Sequence, residues 1–224
     1  MSARMPWDPL ADPAATAASH PGLRHAPATA RNRRPIADAL AGLLPKDACT
    51  VLEIASGSGE HALWMARALP HVTWIPSETT AEGLAGIEAW RALCPELCGR
   101  VLPPVLIDAR RLPWPGHPVD AVFAANLTHI ASWSATLGLI EGAAGRLGEN
   151  GLLLVYGPFK ENGTFNGAGN AAFDADLRMR NHDWGLRDRE TLTAAAIAQG
   201  FEVADAVSMP ANNLLLAYRR PGSC

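Results

Sequence analysis

Short β-rich apolar runs alternate with helix-length amphipathic stretches from residue 50 to residue 219, and this alternation constrains the fold of the 224-residue chain more than any other feature. Thr50–Ser56, Val72–Ile75, Val101–Ile107, Val119–Ala125 and Gly151–Tyr156 read as strands, the second stopped by Pro76. Glu60–Leu69, Ala81–Leu93 and Trp133–Leu147 read as the helices between them. Pro103 and Pro104 place the third strand at a sheet edge, or start it only at Val105. After a late helix over Thr191–Gln199, Phe201–Ser208 and Leu214–Arg219 form two strands joined by Met209-Pro-Ala-Asn-Asn213. That connection is too short for a parallel crossover, so the last pair is antiparallel.

Strand–helix units of this length require a parallel sheet with helices on both faces. The expectation is an α/β chain: a seven-stranded, mostly parallel sheet with a C-terminal antiparallel hairpin, the Rossmann-like layout of the class I methyltransferase fold. A helix from Pro27 or Thr29 to Pro45 precedes the first strand. Residues 1–26, rich in Ala, Pro and Asp without periodicity, read as a loosely ordered N-terminal arm, and residues 27–220 as one domain.

Composition narrows the class of function. A hydrophobic fraction of 48% suits a globular domain, and a formal charge of -3 argues against a nucleic-acid partner. No apolar run approaches the roughly 18 residues of a membrane span. The first 20 residues lack the apolar core of a signal peptide, so the expected location is cytoplasmic. Cys49, Cys94, Cys98 and Cys224 suit a reducing compartment. Cys94 and Cys98 are interrupted by Pro95, with no His pair at finger spacing, so no metal is expected.

The strongest local signal is Val51-Leu-Glu-Ile-Ala-Ser-Gly-Ser-Gly-Glu-His61, a strand running through a glycine turn into a helix. Gly57 and Gly59 permit positive φ and close approach of a ligand to the backbone, and the helix start offers unpaired N–H groups. Glu53, at the strand end, suits an ammonium group and ribose hydroxyls. The plain alternative is an ordinary strand–helix turn. Glu78, 25 residues further on, follows the second strand and can accept ribose hydroxyls; Asp108 closes the third and can accept an adenine amino group. Each alone is equally readable as a loop acid or helix cap. Together they mark the carboxyl ends of successive strands, where open α/β sheets bind ligands.

Asn126 and His129 follow the fourth strand. Asn126 is a candidate contact to the cofactor's methionine part or to substrate. His129 is a candidate general base, against the commoner packed or capping role. His61 is a weaker candidate for cofactor contact. The fifth strand ends in Tyr156-Gly-Pro-Phe159, and Lys160 to Asn170 reads as a glycine-rich lid or an ordinary connection. Phe165, Asn166, Asn170, Phe173 and Asp174, with Trp133, Trp184 and Arg187, are candidate pocket residues. Tyr156 is also a candidate catalytic residue.

The motifs in Val51–Gly59, Asn32 within Ala30–Pro35, Asn126–His129, Tyr156–Phe159, Trp184–Asp188 and Met209–Leu214 together resemble the methyltransferase-like 26 group, the domain-of-unknown-function 938 family. The resemblance covers about residues 25 to 220. It implies a class I fold that binds S-adenosylmethionine, with S-adenosylhomocysteine as product. Glu53, Ala55, Gly57 and Gly59 match the first cofactor motif, Glu78 the ribose acid and Asp108 the adenine acid. Ala55 stands where most class I enzymes have glycine, and holds that place without strain if its φ is negative. The implied activity is methyl transfer to a small molecule, with Asn32, Trp133, Tyr156, Phe159, Asn170, Phe173 and Arg187 on the substrate side. The alternatives are a non-catalytic S-adenosylmethionine-binding protein and a nicotinamide-dependent oxidoreductase, which expects three spaced glycines.

Overall fold

The computed structural model describes residues 8–222. In chain order these form α1 (Pro13–Ser19), α2 (Pro27–Leu43), β1 (Cys49–Glu53), α3 (Glu60–Ala68), β2 (Val72–Glu78), α4 (Ala81–Leu93), β3 (Val105–Leu106), β4 (Val119–Ala125), α5 (Trp133–Arg146), β5 (Leu147–Pro158), β6 (Lys160–Glu161), β7 (Thr164–Phe165), α6 (Ala168–Arg180), α7 (Arg189–Ala198), β8 (Glu202–Met209) and β9 (Asn213–Arg219). Seven strands form one sheet in the order β3-β2-β1-β4-β5-β9-β8. Pairing is parallel from β3 to β5 and antiparallel on both sides of β9, as the strand pattern requires.

The two-residue period of the strands splits the core. In β5, Leu152, Leu154 and Tyr156 face one way with Val51 and Phe123, and are covered by Ile36, Leu40, Leu63 and Trp90 of α2, α3 and α4. Leu153 and Val155 face the other way with Leu52 and Val122, under Leu139 and Ile140 of α5 and Leu192 and Ala196 of α7. Strands buried on both faces must be apolar throughout, which is why β4 and β5 read as continuous runs rather than alternating ones. Among the described residues no helix is long and apolar enough to cross a membrane.

Three expectations change. Pro76 does not end the second strand: it pairs with Glu53 inside β2. The backbone N–H and C=O of Trp74 both point to the β3 side, bonding Arg100 and Leu102. By the two-residue period Pro76 faces the same side, between the lone bridge at Val101 and the start of β3, where no donor is needed. The third strand starts at Val105 and lies at the sheet edge, as Pro103 and Pro104 dictate.

The arm also changes. Residues 1–7 lie outside the described residues, but residues 8–26 are fastened down rather than loose. Asp12 caps α1, Leu10 is buried, and Arg33 donates to the Leu10 carbonyl at 2.8 Å while its guanidinium lies over the Trp64 ring. Trp90 Nε1 donates to the Arg24 carbonyl at 2.8 Å. These anchors are single residues, so no periodicity announced them. Lastly, the residues after 167 form α6, which a glycine-rich reading of that stretch did not anticipate.

α5 fits its loop without clearance. A Cβ on Gly138 would overlap the carbonyl of Ala109, and one on Gly142 the ring of Trp114. Helix propensity alone gives Gly138→Ala a gain of about 1 kcal/mol. Backbone overlap reverses the sign, and we expect a loss of about 1–3 kcal/mol. Urea unfolding with an unchanged slope and a lower midpoint would show it.

Candidate functional site

β2 and β4 leave β1 on opposite sides, and the crevice this opens at the strand carboxyl ends is where α/β sheets bind ligands. The turn after β1 builds its floor. Ala55, Gly57 and Gly59 have φ of 58°, 62° and 84°, so three residues of the turn are left-handed. The condition for an unstrained alanine, a negative φ, is not met at Ala55, at a cost of about 1–2 kcal/mol. A Cβ on Gly57 would meet nothing within 4 Å, whereas one on Gly59 would press on Ile87 of α4. Gly57 is thus the point where backbone is bare toward the crevice.

Glu78 holds this turn. Its carboxylate accepts from Gly57 N at 2.8 Å and from Thr79 N at 2.9 Å. Ser77 adds a second tie between β2 and the turn, donating through Oγ to the Glu53 carbonyl at 2.7 Å.

Two cavities open over the strand ends, of about 480 Å³ and 470 Å³, and Ala55 lines both. The first has Asp108, Thr79, Ile107, Ser132 and Trp184 in its wall. Asp108 is held by Arg110, whose Nε and Nη2 donate at 3.0 and 2.8 Å; this neighbour keeps the carboxyl below the usual aspartate range. The second has Glu53, Gly57, His61, Asn126 and His129 on the sheet side, and Asn32, Asn170 and Phe173 opposite. Glu53 at the end of β1 and Asp108 just beyond β3 thus line different compartments, with Ala55 on the border of both.

The second cavity holds three buried titratable groups. Glu53 is 1% exposed, accepts from Trp74 Nε1 at 2.9 Å and lies 3.8 Å from His61 Nδ1. Burial pushes its carboxyl up to about 7, against the pull of the Trp74 and Ser56 hydrogen bonds. Burial pushes His61 and His129 down to about 4, so both imidazoles are neutral at pH 7. His61 Nε2 and His129 Nδ1 are buried without a hydrogen-bond partner among the described residues. The His129 ring packs edge-on to Phe173 at 5.6 Å.

Four expected substrate-side residues do not reach either cavity. Tyr156 is 1% exposed in the core, and burial pushes its phenol up to about 12, which removes it as a base. Phe159 is wholly buried on the opposite face, with Trp133 packed against the same cluster. Alternation sends the residues that follow a strand to one face or the other, and these fall on the core sides. Arg187 spends its guanidinium on backbone carbonyls, donating to Thr128, Ala131 and Asp183 at 2.8, 2.6 and 2.7 Å. It clamps the loop after β4 instead of offering itself to an anion.

The expected glycine-rich lid is pinned away from the site. Asn162 N donates to Glu190 and Gly163 N to Asp188, so the β6–β7 hairpin sits on the start of α7. Asn166 donates to Glu161, and Asp174 accepts from Leu186 N and Arg178, leaving only Asn170 and Phe173 at the cavity. The sequence reading missed the first turns of α2: Ala26, Thr29 and Arg31 line the second cavity beside Asn32. It also missed Ala211 and Asn213, brought there by a β8–β9 turn in which Ala211 and Asn212 are left-handed, φ 58° and 56°. The Asn-rich composition of that turn was the available signal.

The geometry meets a set of known proteins. The family model described as "Protein of unknown function (DUF938)" matches residues 23–220. An O-methyltransferase family protein from Burkholderia thailandensis superposes with a TM-score of 0.72 at 21% identity, over 88% of this chain and 58% of that one. Human N-acetylserotonin methyltransferase, in a complex with SAM, gives 0.71 at 15%, over 87% and 53%. CalO1, a methyltransferase of calicheamicin biosynthesis in its SAH-bound form, gives 0.71 at 18%, over 87% and 54%. The chain spans little more than half the length of each. At these identities the likeness is one of fold, and the fold is that of the class I methyltransferases.

Two measurements test the site as described. Between pH 4.5 and 6.5 the two imidazoles gain protons on unfolding while the Glu53 carboxyl loses one, so unfolding takes up about one proton net. Depressed histidines lose stability as pH falls and the raised carboxyl gains it, so the melting temperature should drop on acidification across this window. His129→Asn should flatten that dependence; an unchanged slope in calorimetric scans would refute the buried neutral imidazole. Ala55→Gly relieves the left-handed strain and should raise stability by about 0.5–1 kcal/mol in denaturant titration, once the greater freedom of unfolded glycine is subtracted.

Proposed function

We propose that this chain, which belongs to the DUF938 family, is an S-adenosylmethionine-dependent methyltransferase that acts on a small-molecule acceptor. The observation that carries this reading is the double cavity divided at Ala55, with an acid on each side of the division. The residues fit the cofactor's chemistry. A buried carboxyl at Glu53 suits an ammonium, the bare backbone of Gly57 suits close approach, and Asp108 suits the adenine amino group. Glu78 lines neither cavity but holds the Gly57 turn between them, and would take the ribose hydroxyls on the lone pairs its two N–H donors leave free.

When bound, S-adenosylmethionine supplies an electrophilic methyl group whose departure leaves a neutral thioether, so no acid is required of the protein. What the chain contributes is alignment and exclusion of water. His129, neutral at pH 7, presents a hydrogen-bonding edge to an acceptor rather than a strong base. Asn32, Asn170 and Asn126 orient polar groups, and Phe173 supplies an apolar wall. In this reading the protein is a cytoplasmic enzyme of the methyltransferase-like 26 grouping, with no nucleic-acid or membrane partner.

A second reading, non-catalytic binding of the same cofactor, draws support from the withdrawal of Tyr156 and Arg187 from the cavity. A nicotinamide-dependent oxidoreductase is the weaker alternative, since the turn carries two glycines and leaves Asp108 without a role.

Titration calorimetry should give saturable heat with S-adenosylhomocysteine and none with NAD. Glu78→Gln should weaken the former about tenfold, the loss of one charge-assisted hydrogen bond. Absence of heat with both S-adenosylmethionine and S-adenosylhomocysteine would end the proposal. Saturable binding with no methyl transferred to any of a panel of hydroxy and amino compounds favours the non-catalytic reading.

A further inference from the structure

One guanidinium is bonded to the walls of both cavities and opens into neither. Arg187 is half-buried, and its nitrogens sort by compartment. Nη2 donates to the carbonyls of Ala131 and Asp183 at 2.6 and 2.7 Å, and these two residues bring separate chain segments into the first cavity's wall. Nε donates at 2.8 Å to the carbonyl of Thr128, next to His129 in the wall of the second.

The residues before Arg187 complete the arrangement. Gly185 N donates to the His129 carbonyl at 3.0 Å, so the carbonyls of residues 128, 129 and 131 are all taken by residues 185–187. Leu186 N donates at 2.7 Å to Asp174 of α6, whose carboxylate also accepts from Arg178 Nε at 2.8 Å. Asp174 adjoins Phe173, and the Phe173 ring returns edge-on to the His129 ring at 5.6 Å. The path closes on itself: from the loop after β4, through residues 185–187 and α6, back to His129. Gly185 leaves no slack in it. Its φ is 137°, and a Cβ there would stand 2.8 Å from the Asp174 carboxylate.

We infer that Arg187 is a positioning residue for both cavities: its guanidinium ties the loop that carries His129 to the segment that carries Trp184, so one side chain sets the place of a wall in each. A planar guanidinium suits this task, because its N–H groups diverge at fixed angles and hold several carbonyls at once, where an ammonium is a single point. The role does not depend on which ligands the cavities take. Only the choice of adenosine as a probe rests on the methyltransferase reading.

Two reporters on the full chain read the two cavities. Titration calorimetry with adenosine reads the first. Proton NMR at pH 7 reads the second, through cross-relaxation between the rings of His129 and Phe173, with His129→Asn identifying the signals by their loss. Arg187→Met removes every donor, and Arg187→Lys keeps the charge on a single nitrogen. Arg187→Met should weaken adenosine about tenfold and abolish the His129–Phe173 cross-peaks in a chain that still melts cooperatively. Arg187→Lys should show a smaller loss in both, and it decides the matter if Arg187→Met does not fold. Thr193→Val removes the Tyr218 hydrogen bond away from both cavities, and should lower stability while sparing both reporters.

The inference is overturned if the folded Arg187→Met chain keeps wild-type values, if only one reporter changes, or if Arg187→Lys matches wild type in both. It is also overturned if Thr193→Val moves the reporters as far, since the effect is then a general loosening. If wild type gives no heat with adenosine, the amide shifts of Ser132 and Trp184 report on the first cavity instead, because those amides share peptide groups with the Ala131 and Asp183 carbonyls. They move in Arg187→Met if the inference stands and stay if it fails. Absence of heat with S-adenosylhomocysteine as well removes the methyltransferase reading and leaves this inference to be decided by the NMR reporters.

Discussion

The Glu78 carboxylate holds the end of β2 against the turn that follows β1, through Gly57 N on one oxygen and Thr79 N on the other. Most of what makes this fold a binding scaffold depends on that bridge. A turn with three left-handed residues is intrinsically unfavourable where one of them is alanine, and it persists when neighbouring strands over-determine it. Ser77 and Ser56 reinforce the bridge below, with Ser77 N donating to Ser56 Oγ at 3.0 Å. The result is a backbone step that separates two compartments without any bulky side chain between them.

The polar groups around that step follow the opposite rule from the surface. Exposed pairs such as Arg67 with Asp8 and Arg110 with Asp108 tie loops together in high dielectric and contribute little each. Glu53, His61 and His129 are enclosed, so their charged forms are disfavoured and two ring nitrogens lack partners. A buried unsatisfied nitrogen costs free energy in the folded chain. The same holds for Trp64 Nε1, Trp114 Nε1, Thr128 Oγ1 and Thr136 Oγ1, so this cost is spread through the interior rather than confined to the cavity.

The parts of this structure that were legible in the sequence are those set by local rules. Strand and helix order, the edge position of β3 and the antiparallel pairing of β9 follow from periodicity, Pro103-Pro104 and the shortness of the 209–213 connection. The crevice acids were legible because Glu53 and Glu78 end their strands and Asp108 comes just after one. Which way a residue points beyond a strand end was not. Tyr156 and Phe159 turned inward, and Arg187 found carbonyl partners 56 to 59 residues away, a long-range match with no sequence signature. Pro76 misled because a proline's missing donor matters only if a partner strand waits on that side. Arg31, which lines the second cavity, was passed over because a cation beside two other arginines and one asparagine carries no distinguishing pattern.

The second cavity joins the start of α2 to the turn between β8 and β9: Arg31 and Asn32 face Ala211 and Asn213 across about 180 residues of chain. Contacts of such separation are slow to form, because the intervening loop must be closed before they return any stabilisation. β9 also lies in the interior of the sheet, between β5 and β8, so β8 has no place to dock until β9 is seated. The far wall is thus the part of the second cavity that depends on the longest-range contacts. The Asp108 compartment carries the same dependence, because Asn181, Asp183 and Trp184 line it, so both compartments are walled only once the chain beyond β5 is in place.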